Sequence, residues 1–279
     1  MRHCIIMTGY KDIEMINHFI TTMPDNWGIY IHIDKKSILN PENIINKANV
    51  FKKENIYWGG VEHLNAFLML LKEAIRSKTS YDYYHLLSGQ DYFSTHSSNF
   101  DHILGSTQKN YIEVHALPRL GWWGDGYDII KYYTLSSHCD IRKIRYKVLN
   151  KILHYGQHLF KITRPLPNYP LYCGSVYCSL TKDAVETILT SSIAKDLLCR
   201  LSNTTCAEEI FFQTVLMNSR LKDTIVNDNL RYIDWNTKKP PKILQKTDFE
   251  KIVLSNTLFC RKIEYKTSIE LINELDSIE

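Results

Sequence analysis

The apolar positions in the first third of this chain switch between two periods. His3 to Met7 is a short, nearly continuous apolar run; Ile13, Ile16, Phe19, Ile20 and Met23 recur at helical spacing; Ile29 to Ile33 is again a short run. That alternation predicts buried strands joined by amphipathic helices in a parallel sheet. Asp12 stands where it can cap the first helix, and Pro24-Asp25-Asn26-Trp27-Gly28 turns the chain into the second strand. Asn40-Pro41 predicts another helix start, residues 55–58 a third strand, Gly59-Gly60 a turn, and residues 61–76 a long helix striped by Leu64, Phe67, Leu68 and Leu71. A fourth strand over 83–87 ends in Ser88-Gly89-Gln90-Asp91, a polar turn at the carboxyl end of a strand, where open α/β sheets bind ligands.

Between about residues 117 and 169 the periodicity fades. That stretch gains Trp122, Trp123, several tyrosines and a basic cluster at Arg142, Lys143, Arg145 and Lys147, and it reads as an insertion or a long loop over the site. Order returns with a strand over 175–180, a helix over 182–189 and a helix over 208–218. Thr267 with Glu270 predicts a capping box for a short terminal helix. No repeat or low-complexity tract interrupts the chain, so one domain over 1–279 is expected, with an acceptor-side insertion near 117–169.

Composition narrows the classes. A chain of 279 residues with 44% hydrophobic and 23% charged content can bury a large core and lacks the bias of disorder. A net charge of +4 on scattered lysines makes no nucleic-acid stripe, and leaves anionic small ligands or a lipid surface as partners. Seven cysteines without a C-x-x-C pair signal neither a disulfide framework nor a zinc ribbon, and read as reduced thiols of a cytoplasmic protein. The first strand begins at His3, which leaves no room for a leader, and no apolar run reaches membrane-span length. Any membrane contact is then expected to be peripheral, at the inner face.

The chemistry is concentrated near the end. Glu208 and Glu209 stand amid Ile210, Phe211 and Phe212, and carboxylates on an otherwise apolar helix are costly unless paired or used. Successive helix residues point about 100° apart, so the two cannot serve one reacting atom as a glycosidase pair. Glu209 is the candidate general base of a glycosyl-transfer site; the plainer alternative is acid favoured at a helix N-terminus. No two Asp residues lie two positions apart, so the metal-binding Asp-x-Asp of many nucleotide-sugar enzymes is missing. Arg231, Arg261 and Lys262 can offset a diphosphate instead, though an Arg-Lys pair is often just solvated surface. Asp34, after the second strand, suits a ribose or a base edge, or is a plain turn residue. Trp58 beside Gly59-Gly60 offers a flat face with close backbone approach, or a core aromatic. Trp122 and Trp123, in Gly121-Trp122-Trp123-Gly124-Asp125, read as a sugar-stacking platform or a hydrophobic lid, with Asp125 a further acceptor-side candidate. Asp91 gains weight from its place after a strand, and His32, His63 and His85 read as structural. Motifs of zinc proteases, hydrolase elbows, P-loops and dinucleotide folds are all missing.

Six blocks, in order, resemble the core-2/I-branching β-1,6-N-acetylglucosaminyltransferase and xylosyltransferase family, glycosyltransferase family fourteen. They are Tyr30-Ile31-His32-Ile33-Asp34-Lys35-Lys36-Ser37, Trp58-Gly59-Gly60, Leu87-Ser88-Gly89-Gln90-Asp91-Tyr92, Gly174-Ser175-Val176-Tyr177, Glu208 to Thr214 with Asn229-Leu230-Arg231 beyond it, and Leu258-Phe259-Cys260-Arg261-Lys262. The resemblance implies a GT-A-like, Rossmann-like fold, a UDP-sugar donor, an inverting single displacement and no obligatory metal or other cofactor. It assigns Glu209 as base, Arg231, Arg261 and Lys262 to the diphosphate, Met7, Asp34 and Trp58 to the uridine side, and Asp91 and Ser175 to the donor pocket. Glu208 departs from the family's usual Asp before the base. The animal members' anchor, stem and disulfides are not matched here, which points to a bacterial enzyme of surface polysaccharide synthesis. The expected activity moves N-acetylglucosamine or xylose to a hydroxyl of a soluble or lipid-linked glycan. A non-catalytic sugar- or nucleotide-sugar-binding protein is the alternative; a glycosidase would have to pair Asp91 with Glu209.

Overall fold

The structure is a computed structural model that describes residues 1–106 and 108–278, with the Trp123 side chain outside the described part. Its first strand, β1 (His3–Gly9), is buried along its whole length. Cys4 and Ile6 enter one core while Ile5 and Met7 enter another, as the two-residue repeat of a strand requires. β1 pairs in parallel with β2 (Gly28–Ile33) and β4 (Tyr83–Ser88), placing Ile6 between Tyr30 and Leu86. β3 (Asn49–Phe51) extends the sheet beyond β2. The second sheet begins with β5 (Asp91–Phe93), and the main sheet continues with β6 (Asn110–Tyr111). A separate pair, β7 (His115–Ala116) and β8 (Tyr172–Cys173), follows. β9 (Ser179–Thr181) and β10 (Ile225–Val226) complete the main sheet, in the order β10-β6-β9-β4-β1-β2-β3. Among its described strands only β9 runs against its neighbours. The expected mostly parallel α/β sheet is therefore present. Its run 3-2-1-4 matches the Rossmann order across the point where strand order reverses, with the ligand crevice expected beyond the carboxyl ends of β1 and β4.

Helices cover both faces. α1 (Ile13–Thr22) buries Met15, Ile16, Phe19 and Ile20 on one side, and α2 (Glu62–Arg76) buries Leu64, Phe67, Leu70 and Leu71 on the other. α3 (Phe100–Leu104) joins the α1 side, while α4 (Tyr127–Lys131) and α5 (Ile144–Leu159) cross the stretch between β7 and β8. α6 (Lys182–Thr190), α7 (Ser192–Arg200) and α8 (Glu208–Met217) pack with α2. α9 (Phe249–Leu254) and α10 (Tyr265–Asp276) return to the α1 side. The second sheet is completed by β11 (Arg231–Ile233) and β12 (Phe259–Arg261), in the order β11-β12-β5, which sets Arg261 opposite Asp91.

Several local expectations give way to side-chain hydrogen bonding. Residues 55–58 form no strand: Asp34 Oδ1 accepts from the Ile56 amide at 3.2 Å and Lys36 Nζ donates to its carbonyl at 2.6 Å, while Asn49–Phe51 takes the edge of β2. The strand expected over 175–180 shortens to Ser179–Thr181, because Ser175 bonds the Tyr177 amide and its own carbonyl accepts from Gln213. Pro41 opens only a three-residue 3-10 turn. Thr267 and Glu270 form no capping box; α10 starts earlier, and Asp12 holds the amides of both Met15 and Tyr265. The stretch 117–169 contains α4 and the sixteen-residue α5, rather than loop alone.

Candidate active site

Beyond the carboxyl ends of β1, β2 and β4 the chain surrounds a cleft of about 930 Å³. Thr8 to Lys11 enter it from β1, Asp34 and Lys36 from β2, and Ser88 to Gln90 from β4. Gly59 has φ of +74°, and a Cβ there would lie 2.5 Å from Thr205 Oγ1. Its carbonyl accepts from the Cys206 amide at 2.8 Å. The Trp58-Gly59-Gly60 turn is thereby clasped to the start of α8, and its glycine serves a contact within the protein. Gly174 allows an equally close approach, since a Cβ there would sit 2.0 Å from the Glu113 carbonyl oxygen.

The carboxylates occupy one part of the cleft. Glu209 lines it half-buried, and its pKa is pushed up to about 8 by burial first, then by Glu208 and Glu113, against the pull of Arg119. A plain helix N-terminal acid would be solvated and held low by the dipole. Glu208, one position earlier, turns elsewhere: Oε1 lies 2.9 Å from His63 Nδ1, and His63 Nε2 lies 3.1 Å from Thr8 Oγ1. One neutral tautomer satisfies both contacts, with Nδ1 donating to Glu208 and Nε2 accepting from Thr8. Glu208 Oε2 is buried with no partner among the described residues. Glu113 bonds His115 Nε2 at 2.8 Å and stands 3.7 Å from Arg119.

Cations occupy another part. Arg261 lies with its guanidinium 3.7 Å over the Tyr177 ring and its Nε 3.6 Å from Asp91 Oδ1. Burial opposes its charge, yet Asp91 and Tyr177 lift its pKa above the ordinary arginine value. Its Nη1 is buried without a partner among the described residues. Lys262 beside it has its pKa lowered by burial, by Arg261 and by Lys11. It makes no ion pair among the described residues, so the cleft holds clustered positive charge that an anion would relieve.

The sequence-selected residues divide into two groups. Asp34, Trp58, Trp122, Ser175, Glu209, Arg261 and Lys262 line the cleft together. Asp34 is held by Lys36 at 3.0 Å through both oxygens, and the Trp58 ring has the Arg142 guanidinium 5.7 Å away. Met7, Asp91, Arg231 and Asp125 do not line it. Met7 is core, and Asp91 supports Arg261 from beneath while accepting from Ser88 Oγ at 2.7 Å. Asp125 is exposed. The Trp123 side chain, also selected, lies outside the described residues.

Arg231 is a structural post. Its guanidinium donates to Ser179 Oγ at 2.8 Å, to the Cys178 carbonyl at 2.7 Å and to the Asn229 carbonyl, and stacks on Phe259 at 4.8 Å. Burial brings its pKa down to about 10. Arg231→Ala should therefore cost stability, about 3 kcal/mol or more from orphaned buried acceptors and lost packing. Urea unfolding checks this; an unchanged midpoint would remove Arg231 from that role.

Tyr10, Lys11, His63, Glu113 and Arg119 also line the cleft and were not selected. Tyr10 and Lys11 directly follow β1, while His63, Glu113 and Arg119 are scattered along the sequence and reach the site only through the fold. Outside the cleft, Asp128, His154 and His158 place ligand atoms within 4.8 Å of one another. The two imidazoles meet at 3.1 Å between Nε2 atoms.

The profile of the Core-2/I-Branching enzyme family matches residues 4–256. Xylosyltransferase 1 of Mus musculus is 25% identical over 89% of this chain and 27% of its own length. The β-glucuronosyltransferase GlcAT14A of Arabidopsis thaliana is 27% identical over 71% of this chain and 42% of its own. The chain thus spans less than half the length of these relatives. Mouse xyloside xylosyltransferase 1 superposes over 96% of this chain and 99% of its own with a TM-score of 0.37 and 10% identity. No described helix is long and apolar enough to cross a membrane.

Proposed function

Since the chain belongs to the Core-2/I-branching enzyme family, a family of glycosyltransferases, we propose that its cleft transfers a sugar from a UDP-sugar to a glycan hydroxyl by single displacement with inversion. The observation that carries this reading is the presence in one cleft of a raised-pKa carboxylate and of Lys262, a cation without an ion pair among the described residues, beside Arg261. Glu209 takes the acceptor proton, and a base with a pKa near 8 suits that task close to neutral pH. Arg261 and Lys262 bind the diphosphate and stabilise the charge that develops as it departs, in place of a metal ion. Asp34 and Trp58 take the uridine, Ser175 the donor sugar, and Trp122 an acceptor ring. Asp91 and Arg231 act from below, Asp91 by pairing with Arg261 and Arg231 by stacking on Phe259 of the same strand.

The donors to test are UDP-xylose and UDP-N-acetylglucosamine, with UDP-glucuronic acid added by the name of the plant relative. Incubation of each with glycan acceptors, followed by NMR of the new anomeric proton, reads out the reaction. A β-linked product from an α-linked donor supports the proposal. Release of free sugar at the rate of UDP formation, without acceptor dependence, would overturn it in favour of hydrolysis.

A further inference from the structure

Helix α5 turns an apolar side away from the protein. Gln157 is its one buried residue among those described, whereas Ile144, Val148, Ile152, Tyr155 and Leu159 are all exposed, Ile144 by 77%. At 3.6 residues per turn these five fall within an arc of about 80°, with Gln157 on the opposite side. Lys147 and Lys151 border the arc on one flank and Arg145 on the other, all exposed. Phe160 and Ile162 continue the apolar exposure just past the helix. From Ile141 to Lys182 the chain has no Asp or Glu but eight Lys or Arg residues.

We propose that α5 docks on an anionic lipid bilayer, lying in the headgroup plane with its apolar arc inserted. Charge selects this occupant. A second copy packed arc to arc would bring two sets of Arg145, Lys147 and Lys151 together at like charge, which opposes association. An acidic bilayer supplies both what the arc needs and what its flanks need: an apolar interior beneath negative headgroups. Stable docking takes two signals acting together, and α5 carries both an apolar arc and basic flanks. Arg142 and Lys143, directly before α5, also line the cleft. Docking would bring the cleft rim to the headgroups, within reach of a lipid-borne acceptor; that consequence rests on the transfer reading, the docking itself does not.

The test is sedimentation of the 279-residue chain with vesicles of phosphatidylcholine alone and with about one-third phosphatidylglycerol. Binding is expected with the anionic vesicles, weak with the neutral ones, and strongly reduced at about 0.5 M salt. I152E/Y155E should lower partition at least about tenfold, with melting temperature and UDP affinity unchanged because both residues face solvent. K147E/K151E should lower binding to the anionic vesicles only. Absence of vesicle binding, equal binding by the variants, or a dimer dissolved by I152E/Y155E that ignores vesicles would each overturn the proposal. Glu209→Gln should bind vesicles as the wild type does, so docking and transfer can fail separately.

Discussion

Replacing Glu209 by Gln is expected to lower transfer by roughly a hundredfold to ten-thousandfold while leaving UDP affinity nearly intact, the span usual for loss of a general base. The geometry explains why the amide is the right probe. It fills the same half-buried place on α8 beside Glu208 and cannot accept a proton. Wild-type activity should rise with pH and level off above about 8, where the carboxylate is formed. Stability carries the opposite sign. Between the ordinary glutamic acid value and about 8, the folded chain keeps a proton that the unfolded chain has released, so stability falls as pH rises through that window. Gln removes this dependence, and the variant should gain on the wild type from pH 5 to 8 in thermal melting, by an amount set by the shift. A variant that transfers normally would move the base to His63, whose Nδ1 Glu208 holds.

Loss of Lys262 should weaken UDP binding by roughly tenfold to a hundredfold while uridine binding changes little, as expected for a charge-assisted contact to phosphate. Lys262 is the better test of the diphosphate site than its neighbour. It makes no ion pair among the described residues, and its removal relieves repulsion with Arg261 and Lys11, so Lys262→Ala should fold normally. Arg261→Ala instead strands the buried Asp91, and loss of one partner from such a pair costs about 3–5 kcal/mol. Calorimetry with UDP and with uridine separates the contributions. Equal weakening for both ligands would place the phosphate site elsewhere.

The parts of this molecule that were legible in its sequence are those with short-range causes. The period switch at β1, α1 and β2 places side chains in two cores, and Asp12 caps α1 as its position implied, with a second amide at α10 that no local pattern could reveal. Block order brought Asp34, Trp58, Glu209, Arg261 and Lys262 to one cleft. What failed has a physical reason in each case. Arg231 was chosen for its charge, but a cation that satisfies four oxygens of the protein itself looks the same in sequence as one awaiting phosphate. That His63 lines the cleft was not visible, because the partners that hold it there, Thr8 and Glu208, lie 55 and 145 residues away. Helix α5 was hidden because its apolar arc is interleaved with Leu149, Leu153 and lysines, and because that arc faces outward rather than into a core.

The most direct test of the central claim is calorimetric titration of UDP into the protein, once with EDTA and once with manganese. A site built from Arg261 and Lys262 predicts tight binding that EDTA leaves unchanged and Lys262→Ala weakens. Binding that appears only with manganese, or no binding in either condition, would contradict the account of the cleft as a cation-held UDP-sugar site.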